Sequence, residues 1–272
     1  MSTISELEKL DRARAVRAAH DFNAFAEYLG LKQAPMHRRW DEILTERSRA
    51  YLLVHPGAGA TTQMAILRPV WELGQNPNLR ITIVVGTPDR AHAVFSTIMG
   101  VILNERTRRV FPSLRVVEES RQSLVVDRGV WLKDPSVSVL AVYGACTSMR
   151  TDRLVIDNPY TPDCRASSSH QAREAVERWI RTQAYSRLVL KGRRWFFSEA
   201  VSHDDMIHSR LANGYRTGVQ ADGITYVDRF PVSAYKSMAF SPERICGLME
   251  DLGPVEFSRQ MLCLVGVNGA SA

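Results

Sequence analysis

Two groups of residues in this chain are of types that handle phosphate. The first is His55-Pro56-Gly57-Ala58-Gly59-Ala60-Thr61-Thr62, which follows the apolar run Tyr51 to Val54. Small residues and glycines let a tight loop wrap an anion with backbone N–H groups, and a helix beginning near Ala60 would aim its positive end at the same charge. Pro56, Gly57, Ala58, Gly59, Ala60, Thr61 and Thr62 are therefore the candidate phosphate-binding residues, with the Thr61 hydroxyl available to a magnesium ion. A loop of this shape ordinarily carries a lysine where Ala60 stands. The second group, Arg153-Leu154-Val155-Ile156-Asp157-Asn158, lies about a hundred residues downstream. An apolar strand ending in an acid delivers a carboxylate to the magnesium shell beside the β- and γ-phosphates of a nucleotide. Asp157 is the candidate magnesium ligand and catalytic acid group. Asn158 stands where a second acid is usual, and it can hydrogen-bond a water but cannot take its proton.

Positioning these residues requires strands that end where the loops begin. Tyr51–His55 reads as a strand, followed by a helix over Thr61–Leu73. A second strand, Ile81–Val85, precedes a helix over Pro88–Leu103, and shorter strands are expected at Ser123–Val126, Val137–Val142 and Leu154–Ile156. Ala166–Tyr185 has helical periodicity, with Val176, Ile180 and Ala184 on one face, and Trp195–Ser198 is the last expected strand. Near-continuous apolar strands separated by helices indicate an α/β fold with a mainly parallel sheet covered on both faces. The Gly-containing stretch from Asn213 to Gly223 marks a boundary. The expected organisation is an N-terminal helical segment at 1–30, a core at 31–212, a small lid or linker piece at 213–267 and a flexible tail at 268–272.

Composition narrows the classes. The 272 residues are 45% hydrophobic and 24% charged, ordinary values for a globular protein. No apolar run approaches the roughly 18 residues that span a bilayer, and the charged N-terminus lacks a signal-peptide core. Cys146, Cys164, Cys246 and Cys263 form no CxxC pair, which argues against a zinc site or a disulfide framework and for a reducing compartment. A net charge of +6 permits an anionic partner. The densest basic clusters, Arg106 with Arg108 and Arg109, and Lys191 with Arg193 and Arg194, read first as solvated faces.

The two motifs sit inside a longer pattern that resembles the ATPase domain of tailed-phage terminase large subunits. His37-Arg38-Arg39-Trp40 is similar to the family's His-x-x-Trp segment, and Asn76-Pro77-Asn78-Leu79-Arg80-Ile81 to its approach to the second strand. Arg150 through Pro159 resembles its acidic motif. Ala166-Ser167, Arg173-Glu174, Trp179 and Ser186-Arg187-Leu188 fit the helix that follows. Ser198 with His203-Asp204-Asp205-Met206 stands where the family carries a coupling segment, and Phe240 to Arg244, Leu252-Gly253 and Phe257 to Gln260 are similar to its closing motifs. The resemblance implies a RecA-like P-loop fold that uses ATP and Mg2+. It also implies double-stranded DNA, a portal protein and a small terminase subunit as partners, and a homo-oligomeric, pentameric ring. The setting would be the host cytoplasm, at the procapsid portal and away from any membrane. Because the sequence ends at Ala272, no nuclease domain is expected here; a separate nuclease chain is one way the family's cutting activity could be supplied.

The departures bear on activity. Ala60 replaces the loop lysine, Asn158 the second acid, and Ser198-Glu199 the threonine-arginine pair of the coupling segment. Preorganised charge is usually the largest catalytic term in phosphoryl transfer, so hydrolysis is expected to be impaired. The alternatives are a pseudo-ATPase that docks on portal or DNA without turnover, and a helicase-like ATPase outside packaging. Other candidates read first as structural: Ser202-His203-Asp204-Asp205 as a helix cap ahead of a metal site at His203 and His208, Trp40, Trp71 and Trp179 as packing residues ahead of base-stacking platforms, and Arg150 and Arg153 as ion-pair partners ahead of phosphate-binding or trans-acting residues. His37 and Gln33 are candidates to touch an adenine. On this reading Ala60→Lys combined with Asn158→Asp raises Mg2+-dependent phosphate release from ATP well above that of the unmodified protein. An unchanged rate in the double variant would place the defect elsewhere.

Overall fold

Six central strands run parallel and bring their carboxyl ends to one edge, which is where a ligand of an open α/β sheet binds. The computed structural model describes residues 6–160, 169–200, 207, 217–233 and 240–264. Among these residues the chain opens with helices α1 (Glu6–His20), α2 (Phe22–Tyr28) and α3 (Pro35–Glu46). Strand β1 (Arg49–Val54) leads through the glycine loop into α4, wound as a π-helix over Thr61–Leu67 and as an α-helix over Arg68–Gln75. Then follow β2 (Ile81–Val85), α5 (Pro88–Leu103), α6 (Glu105–Val110), β3 (Val116–Glu119), β4 (Ser123–Val126), β5 (Val137–Ala141) and β6 (Thr151–Asp157). Helix α7 (His170–Trp179) continues in tighter and wider turns to Arg187, ahead of β7 (Leu188–Ser198), β8 (Gly218–Val219), β9 (Thr225–Phe230) and α8 (Pro242–Gln260).

The sheet order is β3-β4-β5-β2-β6-β7-β1-β9-β8, with antiparallel pairs only at the two margins. One strand, β7, therefore separates the strand that feeds the glycine loop from the strand that ends in Asp157. The period-two alternation of a strand sorts the core. Leu52, Val54, Ile83, Val85, Val155, Trp195 and Phe197 face α1 to α5, and Tyr51, Leu53, Val84, Leu154, Ile156 and Phe196 face α7. A smaller cluster of Val232, Phe240, Phe257 and Met261 packs around α8, whose axis breaks at Gly253-Pro254.

The sheet continues past the expected last strand. β9 pairs in parallel with β1 on the side opposite β7, and β8 closes that margin. Sequence periodicity misses β9 because Asp228 and Arg229 interrupt its apolar run; only Thr225, Tyr226, Val227 and Phe230 are buried. The expected helix from Ala166 begins at His170 among the described residues, while Ser202 to Met206, His208 and the tail at 268–272 lie outside them.

An ionic hub fastens the loop helix from behind. The Arg68 side chain is 3% exposed and donates to Asp41, to Glu72 Oε1 at 3.0 Å and to Thr45 Oγ1 at 3.0 Å. Arg153 Nε reaches the other Glu72 oxygen at 2.7 Å, so α3, α4 and β6 share one network. Arg153 is thereby an ion-pair residue, as its sequence context suggests. The basic clusters are likewise engaged: Arg106 donates to the Tyr28 carbonyl, Arg109 to Asp11, and Arg193 to the Leu44 and Thr45 carbonyls. Removing one partner of a buried ion network leaves a charge uncompensated. Arg68→Ala is expected to cost about 3–5 kcal/mol in a denaturant titration, whereas a loss below 1 kcal/mol would show that the hub is dispensable.

Candidate functional site

The loop from His55 to Ala60 leaves β1 at the carboxyl edge, and two residues in it take left-handed backbone angles: Gly57 at φ +75° and Gly59 at φ +82°. A side chain at either would be strained, and a Cβ on Gly57 would also come within 3.2 Å of the Phe240 ring. Alternation of this kind turns successive N–H groups toward a common concavity that suits an anion. His37 fixes the loop from α3. Its Nδ1 accepts from the Ala34 N–H at 3.1 Å, which leaves Nε2–H to donate to the Ala58 carbonyl at 2.9 Å. Burial lowers its pKa, in keeping with this neutral tautomer. His37 is thus occupied in holding the loop, and Gln33 donates to the Leu31 carbonyl.

A cavity of about 230 Å³ opens over the loop. It is lined by Gly57, Ala58, Gly59, Ala60, Thr61, Thr62, Asp157, Asn158 and Ser198. The expected phosphate, magnesium, catalytic and coupling residues are brought together there except Pro56, whose carbonyl instead faces His55 Nδ1 at 2.9 Å; the adenine candidates His37 and Gln33 do not line the cavity. Thr61 Oγ1 donates to Asp157 Oδ1 at 3.1 Å across the gap left by β7. Asn158 sits at the strand end with φ +45°, and its Oδ1 lies 3.1 Å from Ser198 Oγ. The aromatic candidates take packing roles: Trp40 is buried edge-on to Phe230, and Trp71 donates from its indole to the Ala18 carbonyl.

Asp157 is the electrostatic centre. It is 1% exposed, and burial pushes its pKa up to about 6, opposed by the Arg90 charge and the Thr61 hydrogen bond and reinforced by Glu199. Its Oδ2 is buried without a hydrogen-bond partner. An orphaned carboxylate oxygen beside a threonine hydroxyl, at the mouth of the glycine loop, fits Mg2+, which takes one or two protein oxygens and completes its shell with phosphates and water. Among the described residues no group of three or more His, Cys, Asp or Glu side chains forms an all-protein metal cage.

Two cavity residues escaped the sequence reading. Arg90, in the first turn of α5, places Nη2 3.8 Å from Asp157 Oδ2. Glu199 follows β7 and accepts a hydrogen bond from the Asn158 side chain; burial raises its pKa, with Arg90, Asn158 and Arg259 acting against that rise. The only signal for Arg90 was its place just past the carboxyl end of an apolar strand. Glu199 was visible merely as a departure from a motif.

This is the α/β, RecA-like arrangement: a glycine loop after one parallel strand and an acid at the end of another, with a single strand between them. Its particular version is the fold of phage large-terminase ATPase domains. The ATPase domain of the Thermus phage P74-26 large terminase superposes with a TM-score of 0.58 at 17% identity, over 89% of this chain and 97% of that one. The bacteriophage HK97 large terminase gives a TM-score of 0.59 at 13% identity, over 92% of this chain. The large terminase of a thermophilic bacteriophage, solved in complex with ADP and with ATPγS, gives 0.53 over 86%. The chain spans 54% of the HK97 protein. No family model and no curated protein matches the sequence.

The buried acid makes stability depend on pH. A folded pKa of about 6 exceeds the unfolded value near 3.9, so the folded state holds the proton more tightly. The stabilisation is complete below about pH 4 and is lost as pH rises through about 6, in total about 3 kcal/mol. In EDTA, melting temperatures measured from pH 4 to 8 should fall through this window, and Asp157→Asn should flatten the curve and melt higher at pH 8. A variant that melts lower at pH 8 would contradict the assignment.

Proposed function

We propose that this chain is the ATP-binding, ATP-hydrolysing module of a viral DNA-packaging motor, with turnover slowed by the altered loop. The observation that carries the reading is the Thr61–Asp157 hydrogen bond at the mouth of a two-glycine loop, with Asp157 Oδ2 left unsatisfied. Thr61 and Asp157 would hold Mg2+, which supplies charge neutralisation to the phosphates when bound. The backbone of Gly57 to Thr62 would hold the phosphates. Ser198 and Asn158 would orient the second acid of the cavity, Glu199, toward a water. In hydrolysis the water oxygen forms a bond to the γ-phosphorus, and the bond to the β–γ bridging oxygen breaks with its electron pair going to ADP. The water proton passes to the Glu199 carboxylate and then to solvent.

The fold shared with phage large terminases supports double-stranded DNA as the moved polymer and a portal protein as the docking site. A small terminase subunit, a pentameric ring and a location in the host cytoplasm belong to the same proposal. So does the division of the chain into an N-terminal helical segment, an ATPase core and a lid built on α8. Among the described residues no helix is long and apolar enough to cross a membrane. Ala60 and Asn158 favour a second reading, a pseudo-ATPase that binds nucleotide and docks without turnover.

Calorimetric titration with ATP and Mg2+, paired with phosphate release in the presence of linear DNA, separates the readings. The motor module binds ATP and releases phosphate faster with DNA, and Glu199→Gln retains binding while losing hydrolysis about 100-fold or more. Binding without any release supports the pseudo-ATPase. No binding at all rejects both.

A further inference from the structure

The loop lacks a lysine at position 60, yet its cavity does not lack a cation. Arg90 enters it from the first turn of α5, where Thr87 Oγ1 caps the helix by accepting from the Arg90 N–H at 3.3 Å. We propose that Arg90, acting within the same chain, supplies the positive charge that binds the nucleotide's phosphates in place of a loop lysine. The proposal rests on the nucleotide-site reading above and names the residue that makes it workable.

Three observations distinguish this from a purely structural ion pair. Arg90 approaches Asp157 no closer than 3.8 Å, beyond hydrogen-bond reach, while Asp157 Oδ2 remains without a hydrogen-bond donor. A guanidinium whose task was to satisfy that buried oxygen would close the gap, since charge-assisted bonds of this type settle near 2.7–2.9 Å. The Arg90 side chain is also 35% exposed against 1% for Asp157, so its donors are open to the cavity. Finally, Arg90 stands in the field of two carboxylates, Asp157 and Glu199, which hold it over the site without saturating its five donors. An arginine offers a planar fork that matches phosphate oxygens in pairs, where a lysine offers a point charge. The charge has moved from the loop to the neighbouring helix, and Ala60 leaves room beside it.

The test uses the full chain and ATP as the probe, by calorimetric titration with Mg2+ and again in EDTA, with thermal unfolding of each variant as a folding check. Arg90→Ala is expected to weaken ATP binding at least 10-fold, and Arg90→Lys to bind between the two, because it keeps the charge and loses the paired geometry. Ala60→Lys added to Arg90→Ala should restore most of the lost affinity, because the charge is then returned to the loop. A residue that merely props up Asp157 would not be rescued from position 60. Should Arg90→Ala not fold, Arg90→Gln and its Ala60→Lys double variant carry the same comparison. ATP binding by folded Arg90→Ala or Arg90→Gln that equals the unmodified chain overturns the role of Arg90 and leaves the nucleotide site standing. Failure of the unmodified chain to bind ATP overturns the functional reading and the Arg90 role together.

Discussion

A carboxylate taken almost wholly out of water at the end of β6 sets the terms for everything around it. Isolated, such a charge would be neutralised by uptake of a proton, and the raised pKa of Asp157 records part of that pressure. What keeps the acid serviceable is the convergence of Thr61 and Arg90 on it from two different connections at one sheet edge. The parallel topology makes this possible, because β1, β2, β6 and β7 all release their chains on the same side. The loop, the first turn of α5 and the residues after β7 are thus neighbours in space while remaining far apart in sequence.

Behind the site, the ionic hub of Asp41, Arg68, Glu72 and Arg153 makes the platform stiff. Such a network gains little net stability over a well-packed apolar one, but it has few ways of being satisfied and so fixes how α4 sits against α3 and β6. Aromatic faces of Phe22, Trp71 and Trp195 stack around the same guanidinium, and they tie the N-terminal helices to the loop helix. The position of Thr61 opposite Asp157 is therefore held from the side away from the cavity.

Much of this was legible in the sequence. Ile81–Val85, Pro88–Leu103 and Ser123–Val126 fall where apolar periodicity places them, since buried strands and amphipathic helices write themselves into local composition. The glycine loop and the Asp157 strand could be paired because each has a local signature. β9 is not legible, because Asp228 and Arg229 break its apolar run and its place is set by pairing with β1 and β8, which lie far from each other in sequence. Arg90 and Glu199 were hidden for a related reason. Nothing near either residue in sequence distinguishes it from a surface charge, and only the strand order brings both to the loop. The sequence shows that Ala60 and Asn158 carry no charge, while the charges standing beside them emerge only in three dimensions.

The wide winding at the start of α4 has a consequence for how these two ends of the helix communicate. Pro69 cannot donate to the carbonyl four residues back, and its ring would crowd that oxygen; the π-wound stretch from Thr61 to Leu67, closed by the Arg68 N–H on the Gln63 carbonyl, accommodates both problems. In an ideal α-helix residues seven apart lie within about 20° of one another around the axis. The looser winding abolishes that alignment, so Thr61 can address β6 while Arg68 addresses α3. The two are geared together. Rewinding the same residues as an ideal α-helix would bring Arg68 back to within about 20° of Thr61 around the axis, and so turn its guanidinium away from Asp41. The winding of seven residues thus sets the angular phase between the glycine loop and the framework that supports it.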